Sequence, residues 1–196
     1  YMTISPKSSF LLGLFFLCFS FELTAKPFES TDEPLPSVNV LIKNANIYDG
    51  EGNELLQTDI LINDRKIAAI GKDLPVTDDF EVIDASGKWV TPGIIDIHSH
   101  MGVYPAPGVR TSSDGNEATS PVTADVWAEH SMWVQDPQYT LALSGGVTAF
   151  HVLPGSANLI GGRGVTVKNL QRNTINSMKF PNAPHSLKLA CGENPK

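Results

Sequence analysis

Apolar and polar positions form three textures along this chain. The first is a nearly unbroken apolar run, "FLLGLFFLCFSF", from Phe10 to Phe21. The second is an alternation that begins at Val38, Val40 and Ile42 and continues to about Val90. Alternation with period two marks strands that bury one face. The stretch "VNVLIKNANIYDGEG" ends in a turn signal, "TDILINDRKIAAIG" gives two short strands around Asn63-Asp64, and "FEVIDASGKWVTPG" gives two more around Ser86-Gly87. Short strands separated by turns at regular intervals predict a small β-sandwich or barrel over residues 38–90.

The third texture, over 91–196, is continuous apolar runs separated by helical signals. Ile94–His100, Val147–Leu153 and Leu187–Ala190 read as buried strands. Ser120 with Pro121, and Asp136 with Pro137, read as caps and first turns of two helices, the second closing at Gly145-Gly146. Strands alternating with helices predict parallel βα units, and so an α/β class. Gly102 to Ser120 is a long loop with little periodicity, of the kind that usually serves function. "GSANLIGGRG" lacks the spacing of a P-loop or a dinucleotide fingerprint, so its glycines are expected to form a tight loop over a site, running into another extended piece, "VTVKNL". Arg163 within it is a candidate for a substrate carboxylate, weighed against an ordinary solvated arginine.

The candidate chemistry lies in "TPGIIDIHSHMG". Residues i and i+2 of a strand share a face, so Asp96, His98 and His100 point one way and Ile95 and Ile97 the other. Two imidazoles on one face suit zinc, and also iron, nickel or copper. Asp96 is placed to orient a ligating histidine. A bare His-x-His is more often a satisfied polar strand end. The Pro-Gly turn and apolar strand before it make this one more restrictive.

Charge narrows the partners. The 196 residues carry 21 acidic and 14 basic side chains, a net charge of −7, which argues against nucleic acid and anionic membranes. Lys7, the apolar run and "ELTA" before Lys26 follow the order of a secretory signal peptide over residues 1–25. The run is short for a membrane span, which takes about 20 residues. Export to the periplasm or medium follows, with no stable anchor after cleavage. Residues 26–37, "KPFESTDEPLPS", read as a linker. Cys18 leaves with the signal, so Cys191 remains alone, no intrachain disulfide forms, and the thiol is expected to be small and buried.

With these motifs in place, the chain resembles the amidohydrolase superfamily. "GKWVTPGIIDIHSH" matches the lead-in to a first barrel strand, and "GGVTAFHVLPGSANLIGGRG" and "LKLACGENPK" look like the imidazolonepropionase-related, dipeptidase-like branch. The resemblance implies a (β/α)₈ barrel with one or two divalent ions, zinc foremost, at its C-terminal mouth. It implies that His98 and His100 are the first-strand ligands. Glu193 is the favoured further ligand, Lys188 its rival, and His151 a second-tier candidate; His130 and His185 are not assigned. The later ligands and the catalytic aspartate are expected beyond residue 196, because a full barrel takes about 250 residues. The chain then reads as the N-terminal part of a hydrolase, inactive alone. The implied reaction is hydrolysis of a C–N amide bond in a small cyclic amide or short peptide, in a possible homo-oligomer. A silent metal- or ligand-binding protein and a metal-dependent phosphoesterase are the alternatives.

Overall fold

The computed structural model describes residues 27–192. The expected signal segment and Glu193 lie outside the described residues. The fold is mixed α/β, with two sheets.

The first sheet is built around β1 (Val40–Tyr48). β2 (Glu54–Asn63) runs antiparallel to it, and β3 (Lys66–Gly71) antiparallel to β2. The β2–β3 turn sits at Asp64 and Arg65, both with positive φ (47° and 62°), one residue later than the sequence suggests. That is the backbone twist two-residue hairpins prefer. β4 (Glu81–Asp84) and β5 (Trp89–Val90) both pair with β1 in parallel. The strands are those read from the alternation. They form one sheet, however, and no second sheet packs on it among the described residues. Ala45, Ile47, Ile60 and Ala85 make its small core, while Leu56, Ile67 and Val82 stay exposed.

The second sheet has the order β6–β7–β8–β9: β6 (Ile94–Ser99), β7 (Val147–Val152), β8 (Ile160–Lys168) and β9 (Ser186–Leu189). β6 and β7 are parallel, as expected of βα units. β8 departs from expectation. It is a strand, antiparallel to both β7 and β9, that continues the extended piece expected after the glycines back through the glycine stretch read as a loop. Its glycines let neighbours come close: a Cβ on Gly162 would sit 2.6 Å from the Val126 carbonyl oxygen, and one on Gly164 would sit 2.6 Å from both His151 Nε2 and Ser186 Oγ. Arg163 Nε donates to the Ala124 carbonyl, and its guanidinium lies over Trp127.

Of the two expected helices, one forms. α1 (Gln138–Ser144) starts after Asp136-Pro137 and stops at Gly145, whose N–H returns to Leu141 and Ala142. The Ser120-Pro121 stretch stays extended, because Val122 and Trp127 bridge to Ile160 and Arg163 of β8; β-branched Val122 and Thr123 favour that pairing. Only a short 3-10 turn, Ala128–His130, follows. A one-turn helix, α2 (Ile175–Met178), is capped by Thr174.

The larger core packs Val103, Ala128, Tyr139, Phe150, Val152, Val165, Val167 and Met178 together. Beside it lies a buried ion pair, Lys179 Nζ to Glu129 Oε2 at 2.6 Å. Lys179 also donates to the Phe28 carbonyl, Thr31 N–H to Asn176, and Asp32 pairs with Lys168. Residues 28–33 of the expected linker are therefore a strap tied to the second sheet. Cys191 is exposed, not buried, on the chain just past β9.

Candidate metal centre

β6 carries His98 near its carboxyl end, and His100 follows it immediately. The rings lie edge to face with centroids 5.3 Å apart, so the structure brings the two predicted ligands together. The strand is irregular between Asp96 and Ser99. Asp96 Oδ1 bridges the irregularity by accepting the His98 backbone N–H at 3.0 Å. Asp96 thus steadies the backbone under His98; its hydrogen bond is not to an imidazole.

Each imidazole has a defined partner. His100 Nδ1 lies 2.8 Å from the Leu153 carbonyl oxygen, just past β7. A carbonyl only accepts, so Nδ1 carries the hydrogen and Nε2 presents its lone pair. His98 Nε2 faces Lys188 Nζ of β9 at 3.2 Å. The Lys188 ammonium, burial, and His100 together hold the His98 pKa below its ordinary 6.5, against the pull of Asp96. Lys188 is buried, with its amine aimed at His98. Of the two rivals for a further ligand position, Lys188 is thus seen at the site.

His151, on β7, is occupied at both nitrogens. Nδ1 meets Thr166 Oγ1 at 2.9 Å and Nε2 meets Ser186 Oγ at 2.6 Å. It belongs to a hydroxyl-bonded network beside the centre and offers no lone pair to an ion in this arrangement. Desolvation, with His185 and His98, lowers its pKa. His185 bonds the Gly164 carbonyl and packs on Trp127, and His130 is exposed near Glu129. Arg163 is engaged by the Ala124 carbonyl and the Trp127 ring. Among the described residues, no group of three His, Cys, Asp or Glu side chains converges.

Sequence reasoning missed what surrounds the pair. Tyr104 stands edge-on to His100, with ring centroids 5.7 Å apart. With His100, Asn116, Gly155, Ser156 and Ala157 it lines an opening of about 370 Å³. The signal available was the long aperiodic loop. Asp136 holds that loop in place. Its carboxylate accepts the N–H groups of Gly102 and Ala106 as well as Gln138 at the start of α1.

A mixed α/β chain in which one of two parallel strands ends in paired imidazoles defines a class of site built at the carboxyl ends of strands. The comparisons with known proteins agree with it. No protein-family model matches the chain. It is 33% identical over 178 residues to Amidohydrolase tasK of Hapsidospora irregularis, covering 85% of this chain and 18% of that protein. It is 44% identical over 77 residues to a dihydroorotase of Lactobacillus helveticus, covering 39% of this chain and 16% of that one. The crystal structure of an amidohydrolase from Thermotoga maritima superposes with a TM-score of 0.71 at 38% identity, covering 80% of this chain and 40% of that chain. The chain belongs to the amidohydrolase superfamily. It spans less than a fifth of the length of these two curated relatives.

Proposed function

We propose that this chain supplies the first metal-binding strand of a longer, divalent-metal-dependent hydrolase that opens the C–N amide bond of a small cyclic amide. The observation that carries it is the tautomer of His100. Its Nδ1–H is committed to Leu153, so Nε2 is presented for a cation beside His98. The donor set fits such an ion: His100 Nε2 presents its lone pair, and His98 Nε2, which meets the Lys188 ammonium in this structure, already faces a cation. When bound, the ion supplies an activated water and polarises the scissile carbonyl.

The chain's own groups hold this arrangement. Leu153 fixes the His100 ring, Asp96 fixes the backbone of His98, and buried Lys188 keeps His98 neutral. In this reading the second sheet is the first part of a (β/α)₈ barrel and the first sheet part of a composite β-sandwich. Further ligands come from Lys188 or Glu193 and from later strands, which also carry the catalytic aspartate. Zinc suits the imidazoles, in a centre of one or two ions. Residues 1–25 direct export to the periplasm or medium, and the mature protein acts on a small molecule, as a homo-oligomer. The kinship with proteins named amidohydrolase and dihydroorotase supports a cyclic amide over a phosphoester.

The test is turnover by the full-length protein, before and after chelation. Ring opening of a cyclic ureide that stops on chelation and returns with zinc is the expected result. Phosphate release from a phosphomonoester without ring opening would replace the reading with a phosphoesterase.

A further inference from the structure

His151 and Ser186 stand on strands that are not neighbours. β8 lies between β7 and β9, with Thr166 opposite His151 and Gly164 opposite Ser186. Next-but-one strands run about 10 Å apart, yet His151 Nε2 meets Ser186 Oγ at 2.6 Å. Gly164 permits the bridge, because a Cβ there would press on both atoms. Its φ is not positive, so the backbone alone does not call for glycine at this position. The other nitrogen, Nδ1, is fixed by Thr166 Oγ1 at 2.9 Å. A neutral imidazole donates from one nitrogen and accepts at the other, and a hydroxyl can do either, so both bonds form in either tautomer.

The bridge has a target two residues along β9. Ser186 and Lys188 share a face of that strand. β9 is four residues long, and its ladder to β8 is irregular between Ile160 and Arg163, the stretch that Lys188 faces. Regular backbone pairing therefore does not set the position of Lys188. Two other features do. The serine anchor holds the strand just before it, and Gly161 makes room for its stem, since a Cβ there would sit 3.3 Å from the Lys188 carbonyl oxygen and 3.5 Å from its Cγ. The buried amine ends 3.2 Å from His98 Nε2.

We infer that His151 is a positioning residue: bonded to Ser186 through the gap at Gly164, it holds β9 so that the Lys188 amine stays against His98. Its purpose there rests on the metal-dependent reading of the site, whereas the geometry needs no ion. Three residues outside the histidine pair, His151, Gly164 and Ser186, thus shape the centre without touching the ion.

Pulse labelling of lysines by an N-hydroxysuccinimide ester, read by peptide mass spectrometry on the full-length protein after chelation, tests this. Lys179, the other buried lysine of the second sheet, is the internal reference for general loosening. Ser186→Ala and His151→Leu should each raise Lys188 labelling by about tenfold, the effect of losing one buried hydrogen bond on local opening. Gly164→Ala should do the same. Lys179 should stay as protected as in the unsubstituted protein. His151→Gln, whose amide nitrogen can take the place of Nε2, should keep Lys188 labelling within about twofold of the unsubstituted protein. Unchanged Lys188 labelling in Ser186→Ala and His151→Leu, an equal rise at Lys179, or His151→Gln as open as His151→Leu would overturn the inference. Metal content before chelation separates the two readings. Bound metal with a Lys188 indifferent to these variants keeps the centre and removes the bridge; a responsive Lys188 in a protein that binds no metal keeps the bridge and removes the centre.

Discussion

β6 and β7 are neighbouring parallel strands with similar apolar sequences and opposite surroundings. On β7, Ala149 is 6% exposed and Phe150 and Val152 are fully buried. On β6, Ile94, Ile95 and Ile97 are 52%, 64% and 78% exposed. The expectation that both are buried holds for β7 and fails for β6. β7 has β6 on one side, β8 on the other, and α1 against it. β6 has β7 alone among the described residues. Burial is a property of neighbours, and an apolar strand without them keeps its side chains in water. The paired histidines stand at the end of the less supported strand, and their geometry comes from hydrogen bonds: Leu153 beyond β7 and Lys188 on β9.

This contrast can be broken by substitution. The largest effect is expected on the β7 side. Phe150→Ala should lower unfolding stability by about 4 kcal/mol, read by urea titration of tryptophan fluorescence, because the site cannot collapse around so large a loss. Next comes the buried pair behind the same core. Lys179→Met leaves Glu129 buried with only the exposed His130 ring beside it, and should cost about 3 kcal/mol; if it is neutral, the pair does not hold the strap and the 3-10 turn together.

pH should act on β7 in a defined direction. His151 has a folded pKa lowered from 6.5, first by desolvation and then by His185 and His98. The unfolded chain takes up a proton at higher pH than the folded one. The stability from keeping His151 neutral is thus present above 6.5 and is lost as pH falls toward the folded pKa. The urea midpoint should drop between about pH 7.5 and about pH 5.5, and His151→Gln should flatten that drop. The smallest effect is expected on β6. Ile97→Thr, at the most exposed of the three isoleucines, should change stability by no more than about 0.5 kcal/mol. A large loss there would mean that β6 is covered in solution.

The same contrast sorts what the sequence could reveal. Local signals were legible: the alternation that became β1 to β3, the Asp136-Pro137 start and Gly145 stop of α1, and the adjacency of His98 and His100. What depended on distant partners was not. The Ser120-Pro121 cap signal lost to pairing of Val122 and Trp127 with β8. The glycines of β8 read as a loop because the Val126, Ser186 and Lys188 atoms that press on them come from elsewhere in the chain. Lys188 stands beside His98 across 90 residues of sequence, a contact no local pattern encodes. Asp136 read as a helix cap also anchors the loop that carries Tyr104.

The central claim is that His98 and His100 hold one divalent ion together. Elemental analysis of the full-length protein and of its His98→Ala and His100→Ala variants tests it most directly. The account predicts that each variant, still folded by circular dichroism, loses most of the bound metal. Undiminished metal content in both variants would contradict it.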